Sequence, residues 1–129
     1  DCPCCVDATP FVDRIAVEVK SAVNVVGILD GTAKDAELWA YVNSVKYLIL
    51  ADPDLAVIHA FGAKTGVYMA IVDENGVVVK LYPGYSQSGL QAIVSSLSSL
   101  ARIKEPTVSF KGAPERSTSG CSFDDKTKR

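Results

Sequence analysis

The chain has 129 residues, of which 48% are hydrophobic and 22% charged, and its formal net charge is −2. This length and balance predict one globular domain with a substantial core. The near-neutral charge argues against a nucleic-acid partner, and no apolar run approaches the length that spans a membrane. Four cysteines in such a chain indicate redox chemistry or soft-metal binding rather than a disulfide scaffold. Both the bacterial cytoplasm and the periplasm fit this cysteine usage.

Three of the cysteines lie at the start of the chain, where a helix is predicted. Cys2 and Cys5 have the spacing Cys-x-x-Cys, Pro3 suits a first helical turn, and Asp1 is the expected cap. A helix N-terminus favours anions, and the thiolate is the reactive form of cysteine. Pro10 should kink this helix without ending it. The apolar residues predicted to form its buried face are Val6, Phe11, Ile15, Val17 and Val19.

A β-α-β unit is predicted next. The β-branched run at 23–29 is typical of a buried strand, and a second strand is expected at 47–51. Thr32 is the expected cap of the intervening helix at about 33–45, with Asp35 completing a capping box. The core contacts predicted for that helix are Leu38, Trp39 and Val42.

A short helix and a β-hairpin follow. Asp52 is the predicted cap of a helix that should end near Phe61, with a proline in its first turn. Two β-branched runs at 67–72 and 77–82 flank Asn-Gly, which is a strong hairpin signal.

The last predicted helix is amphipathic and runs to about residue 102. Ser86 or Ser88 can cap it. Its predicted core face consists of Leu90, Ile93, Val94, Leu97 and Leu100. We therefore expect a domain at 1–102, followed by a polar, extended or partly disordered tail at 103–129.

This order of elements predicts an α/β fold with a mixed sheet covered on both faces. Together with the Cys-x-x-Cys helix and its Pro10, it resembles the thioredoxin superfamily, in particular its redoxin or peroxiredoxin-like members. The resemblance implies a three-layer α/β/α architecture with a central strand before Cys2, for which the chain has no residues. A longer natural chain would explain this, and a homodimer that completes the sheet is the alternative. Relatives also carry a cis-proline where this chain has Gly66-Val67, so we expect trans geometry there.

The resemblance implies a thiol-disulfide oxidoreductase without a cofactor. Cys2 would attack a disulfide in a protein or small-molecule substrate, and Cys5 would resolve the mixed disulfide. Pro3, Gly66 and Val67 would face the substrate.

Alternatives remain for the other thiols. Cys4 is either a bystander or the third ligand of a Cu(I) or zinc site with Cys2 and Cys5. Cys121 is either a second resolving or regulatory thiol, or a free cysteine of the tail. A peroxidase is a further alternative, although peroxiredoxins present Thr-x-x-Cys with an arginine. Here Cys2 replaces that threonine, and Arg14 would have to face back.

Overall fold

The computed structural model describes residues 2–123. Their elements follow in the order α1 (Pro3–Val19), β1 (Val26–Leu29), α2 (Ala33–Val42), β2 (Leu48–Ala51), α3 (Ala56–Ala60), β3 (Tyr68–Val72), β4 (Val78–Pro83) and α4 (Gln87–Ala101). The predicted order of elements is therefore confirmed. None of the described helices is long and apolar enough to cross a membrane.

Helix α1 begins directly at the cysteines. Its N-cap is Cys2, whose side chain makes no capping hydrogen bond, so the predicted cap at Asp1 is wrong. Asp1 itself lies outside the described residues. Pro10 lies inside the helix without ending it, as predicted. One turn is reinforced by Thr9, whose hydroxyl donates to the Cys5 carbonyl at 2.8 Å.

The buried face of α1 is narrower than predicted. Phe11, Ile15 and Val19 are buried at a spacing of one helical turn, whereas Val6 and Val17 are exposed. The three buried residues follow an i, i+4 stripe, and the two exposed valines lie off it.

The strands form two separate ladders. β1 and β2 are parallel, with Val26 opposite Leu48, and β3 and β4 are antiparallel, with Tyr68 opposite Pro83. Among the described residues no backbone ladder joins the two pairs. The parallel and antiparallel parts of the predicted mixed sheet are thus both present, and no described strand lies between them.

The hairpin turn follows its predicted chemistry. The Asp73 carboxylate accepts the N–H groups of Asn75 at 2.9 Å and Val77 at 3.0 Å. Gly76 has a φ of +80°, a left-handed conformation that glycine adopts without steric cost.

Asp52 supports α3 in a different register from the one predicted. The helix begins at Ala56, and its N-cap is Leu55 rather than Asp52. The buried Asp52 carboxylate nevertheless accepts the N–H groups of Val57 at 3.2 Å and Ile58 at 2.8 Å. The intervening residues form a turn, so Asp52 satisfies helical donors from outside the helix.

Helix α2 has the predicted cap but not the predicted core face. The capping box of Thr32 and Asp35 is present, and the helix ends at Val42 rather than near residue 45. Its buried residue is Ala36, whereas Leu38 and Val42 are exposed. The predicted core contacts of these two side chains are therefore wrong.

The main core lies between α1, α4 and the hairpin. Ser86 caps α4, and Leu90, Ile93 and Val94 are buried as predicted, whereas Leu100 is exposed. The described part of the tail, 103–123, contains no helix or named strand, but it contributes to this core. The complete buried cluster is Ala8, Phe11, Ile15, Val19, Ile71, Tyr85, Leu90, Ile93, Val94, Phe110 and Ala113.

Candidate dithiol site

The first turn of α1 brings Cys2 and Cys5 together. The Cys5 N–H donates to the Cys2 carbonyl at 3.0 Å, which closes this turn, and Pro3 occupies its start. Residues three apart lie on one helical face, and the two side chains are hydrogen-bonded to each other. Both thiols are partly buried and neither forms a disulfide. The site therefore presents a reduced dithiol at the helix N-terminus.

Two glycines from distant parts of the chain pack against this dithiol. A Cβ atom built on Gly66 would lie 2.7 Å from the Cys5 sulfur and 3.7 Å from the Cys2 sulfur. A Cβ atom on Gly120 would lie 2.8 Å from the Cys2 sulfur and 3.0 Å from the Cys5 sulfur. Real Cβ atoms do not approach so closely, so both positions depend on the absence of a side chain.

A short antiparallel ladder holds the two glycines in place. Gly66 N–H donates to the Cys121 carbonyl at 2.9 Å, and Gly120 N–H donates to the Gly66 carbonyl at 2.9 Å. At the far end, Phe123 N–H donates to the Lys64 carbonyl at 3.0 Å. We call the segment 118–123 the tail strand, because it runs in extended form along residues 64–66.

The tail strand is also anchored beyond the glycines. Tyr85 and Thr118 exchange two backbone hydrogen bonds, each 2.9 Å long. The Tyr85 side chain is buried and stacks at an angle on Phe11 of α1, with 6.3 Å between ring centroids. The tail strand is therefore tied at one end to the core and at the other to the loop before β3.

The Cys2 thiol has a lowered pKa. Burial by itself would raise it, but hydrogen bonds from the Cys5 side chain and from the backbone and side chain of Cys121 outweigh that effect. In particular, the Cys121 N–H donates to the Cys2 sulfur at 3.2 Å. The helix N-terminus adds a favourable field for the same anion.

The Cys5 thiol is shifted in the opposite direction. Burial is the largest cause of its raised pKa, followed by its hydrogen bond to Cys2 and by the charge of the Cys2 thiolate. The backbone N–H of Val67 opposes this shift by donating to the Cys5 sulfur. The dithiol is thus asymmetric, because Cys2 loses its proton more readily than Cys5.

Val67 has an unusual backbone conformation for a β-branched residue. Its φ is +55°, in the left-handed region, and the described residues contain no cis peptide bond. Trans geometry at Gly66-Val67 is therefore confirmed. Such a conformation costs about 1–3 kcal/mol and persists only where the surroundings impose it. Here it accompanies the N–H group of Val67 that is directed at Cys5.

Cys4 lies away from the other two cysteines of α1. Residues two apart do not share a helical face, and Cys4 instead lines an open cavity of about 480 Å³ with Asp7, Pro10 and Tyr85. Within residues 2–123, no group of three or more His, Cys, Asp or Glu side chains is arranged to hold a metal ion. The ligand set of Cys2, Cys4 and Cys5 considered for Cu(I) or zinc is not assembled.

Arg14 is engaged away from the dithiol. Its guanidinium donates to the Ser109 carbonyl at 2.8 Å and lies over the Phe11 ring, 5.2 Å from the centroid. It therefore binds the tail segment to α1. These contacts do not give it the role that an arginine has beside a peroxidatic cysteine.

Sequence reasoning named three of the five positions that surround the dithiol. Pro3 begins the helix, a Cβ atom on Gly66 would lie closest to the Cys5 sulfur, and the Val67 N–H donates to the same sulfur. It missed Gly120 and the N–H group of Cys121. The one available signal was a small residue beside a cysteine in the tail, which does not predict pairing with residues 64–66.

The comparisons with known proteins agree with this fold. The chain is similar to a protein described as the thiol:disulfide interchange protein DsbE from Chlorobium tepidum, with a TM-score of 0.67 and 20% sequence identity. The match covers 77% of this chain and 72% of the other. At this identity the likeness shows the fold, which is thioredoxin-like and confirms the fold class predicted from the sequence.

The family follows from the sequence match. Residues 1–99 of the 129 match the Redoxin family, so the chain belongs to that family. The family match confirms the resemblance to redoxins drawn from the sequence. A search of curated proteins finds no significant match.

Proposed function

We propose that this protein is a thiol-disulfide oxidoreductase that uses Cys2 and Cys5 as its redox couple. The observation that carries the proposal is the asymmetry of the dithiol, in which the pKa of Cys2 is lowered and that of Cys5 is raised. The Redoxin family and the thioredoxin-like fold support the same class of chemistry. The substrates would be disulfides or thiols of proteins or small molecules.

The asymmetry assigns a role to each thiol. Cys2, as the thiolate, attacks one sulfur of a substrate disulfide and releases the other as a thiolate. Cys5 then loses its proton and attacks the Cys2 sulfur, which releases the second substrate thiolate. The Cys2–Cys5 disulfide forms, the substrate disulfide is reduced to two thiols, and the reverse sequence oxidises a dithiol. The lowered pKa of Cys2 serves the first step and makes Cys2 the better leaving group in the reverse direction.

The roles of Gly66, Val67 and Pro3 follow from their places around the sulfurs. Because Gly66 has no side chain, a backbone can approach the dithiol closely from its side. The Val67 N–H stabilises negative charge on Cys5 during resolution. Pro3 donates no N–H and fixes the first turn, which keeps the two thiols on one face.

A redox titration tests the couple directly. The full chain is equilibrated in a series of glutathione buffers of graded potential, the thiols are trapped, and the linked peptides are identified by mass spectrometry. Cys2 and Cys5 should convert together between dithiol and disulfide, and Cys4→Ser should leave their midpoint unchanged. The proposal fails if Cys2 and Cys5 stay reduced throughout, or if Cys4 takes the place of Cys5 in the bond.

The pH dependence of alkylation tests the assignment of Cys2. The pH at which its reaction with iodoacetamide reaches half the maximal rate should lie below that of a denatured control, because the pKa of Cys2 is lowered in the folded protein. Cys5→Ala removes one of the hydrogen bonds that lower this pKa, so the midpoint should move upward in that variant. A wild-type midpoint at or above that of a denatured control would contradict the assignment.

A further inference from the structure

The tail strand places a third thiol at the dithiol. Cys121 is partly buried, its N–H donates to the Cys2 sulfur, and its side chain also contributes a hydrogen bond to Cys2. It is held there by the hydrogen bonds that Gly66 makes with Gly120 and Cys121. Three sulfurs therefore meet around Cys2, two from one helical turn and one from the tail.

The two thiols beside Cys2 come from different parts of the chain. Cys5 lies in the first turn of α1, against Gly66 and Gly120, and its burial disfavours the thiolate. Cys121 reaches the same Cys2 sulfur from an extended backbone outside the helix. A mixed disulfide at Cys2 therefore has two thiols close enough to resolve it.

We propose that Cys121 is a second resolving thiol, which forms a disulfide with Cys2 in competition with Cys5. The proposal rests on the proposed function, because it requires Cys2 to attack a substrate disulfide first. Cys121, as the thiolate, then attacks the Cys2 sulfur of the mixed disulfide. The bond between Cys2 and the substrate breaks, the Cys2–Cys121 bond forms, and the departing substrate thiolate takes up the proton that Cys121 lost. The substrate gains two electrons, and Cys2 and Cys121 together lose two.

This step has a structural consequence for the tail strand. A Cys2–Cys121 bond fixes the tail strand over the dithiol, where Gly120 already lies against both sulfurs. A subsequent attack of Cys5 on Cys2 transfers the disulfide to the helix and frees Cys121. Cys2 is thus the shared partner of both disulfides, and the tail strand is bound covalently in one oxidised form and not in the other.

The test uses dithiobis-nitrobenzoate, an aromatic disulfide that releases a coloured thiolate at each step. All variants carry Cys4→Ser, so that the remaining thiols are those of the cluster. With Cys5→Ser, one equivalent of reagent should release two coloured thiolates per reagent molecule and leave a monomer with a Cys2–Cys121 link, seen by mass spectrometry without reduction. One thiolate and a persistent adduct at Cys2, or a linked dimer, would overturn the proposal.

The companion variant separates this proposal from the proposed function. With Cys121→Ser instead, Cys5 is the resolving thiol, and two thiolates should again be released. If this variant fails while the Cys5→Ser variant succeeds, the Cys2–Cys5 couple is wrong and Cys121 is the resolving thiol. If it succeeds while the Cys5→Ser variant fails, only the role of Cys121 is wrong.

Placement of the tail strand is tested in the same Cys4→Ser, Cys5→Ser background. Gly120→Ala places a Cβ atom 2.8 Å from the Cys2 sulfur, so the strand must shift. The second thiolate should then be released on the order of tenfold to a hundredfold more slowly. The matched control is the exposed neighbour Ser119, and Ser119→Ala should leave the rate unchanged. Equal rates in the two variants would overturn the role of the ladder.

Discussion

The half of the molecule that carries the dithiol is packed differently from the β1-α2-β2 unit. The main core is built from α1, α4, the hairpin and the tail, and among the described residues it takes nothing from β1, α2 or β2. In the β1-α2-β2 unit, Leu38 is 62% exposed and Leu48 60% exposed, although both are large and apolar. Both regions contain apolar residues at positions typical of a core, but those of the β1-α2-β2 unit are the more exposed.

This difference shows what positions the site. The first turn of α1, the Gly66 loop and the tail strand all rest on the densely packed half, which can hold sulfurs and backbone groups at short distances. The β1-α2-β2 unit is a parallel pair with one helix packed on it, and it leaves strand residues such as Val26 and Leu50 exposed. The homodimer that would complete the sheet stays a prediction.

The largest expected contrast comes from removing one leucine from each region. Leu90 is 0% exposed, so Leu90→Ala should lower the free energy of unfolding by about 2–5 kcal/mol. Leu48→Ala removes a side chain that is mostly in water, and should cost about 1 kcal/mol or less. Urea denaturation followed by circular dichroism measures both. Equal losses would show that the β1-α2-β2 unit is buried in solution.

Two glycines provide the next contrast. Gly66→Ala places a Cβ atom 2.7 Å from the Cys5 sulfur, whose short side chain is partly buried and has little room to move. We expect it to lower the free energy of unfolding by about 1–3 kcal/mol and to raise the pKa of Cys2. Gly27→Ala places a Cβ atom 2.5 Å from the Cδ1 atom of Ile49. This atom is the end of a flexible side chain, which can rotate away. Its expected cost is about 1 kcal/mol or less.

Unfolding curves and the pH dependence of Cys2 alkylation distinguish the two glycine variants. Gly27→Ala serves as the control and should not alter the alkylation midpoint. A Gly66→Ala protein with the wild-type midpoint would show that the Cys2–Cys5 hydrogen bond does not depend on this close approach.

Helix caps give a smaller contrast. Ser86 is buried and accepts the Gly89 N–H at 3.0 Å, whereas Thr32 caps α2 at an exposed position. Removing a cap costs about 0.5–2 kcal/mol. We expect Ser86→Ala near the upper end of that range and Thr32→Ala near the lower end, because water can replace only the exposed cap. Thermal unfolding checks the order, and a greater loss for Thr32→Ala would contradict it.

The last contrast appears only at alkaline pH and concerns a tyrosine of the β1-α2-β2 unit. Burial, with a contribution from the Asp13 charge, raises the pKa of Tyr47 to about 12. The folded pKa lies above the unfolded one, so this contribution to stability is complete below about pH 10 and is lost as the pH rises toward 12. In the wild type the free energy of unfolding should fall as the pH rises above about 10. Tyr47→Phe should make this fall less steep, by at most about 1.4 kcal/mol per pH unit.

The control for Tyr47→Phe is a tyrosine on the neighbouring helix. Tyr41 is 84% exposed, so Tyr41→Phe should keep the wild-type slope. Urea midpoints from pH 9 to pH 11.5 measure all three proteins. Because the cysteines are common to all of them, their own titration cancels in the comparison. Parallel curves for Tyr47→Phe and the wild type would show that Tyr47 is accessible to solvent.

The sequence alone determined the order of helices and strands and the start of α1 at the cysteines. It also determined the cap at Thr32 and the Asn-Gly hairpin, and it limited the cap of α4 to Ser86 or Ser88. These features depend on residues within a few positions of one another, where propensity, capping and turn chemistry act. Asp52 shows that such local prediction can fail even at short range. Its carboxylate accepts N–H groups five and six residues away, and α3 begins later than predicted.

Tertiary structure alone decided which apolar residues are buried and which thiols meet. Leu38 and Leu90 both lie on predicted core faces, but only Leu90 is buried. The hydrogen bond from Cys121 to Cys2 joins residues 119 positions apart. Such pairing has no local signal, because it depends on the path of the tail over Tyr85 and Gly66. The dithiol could therefore be predicted from the sequence, and the tail strand beside it could not.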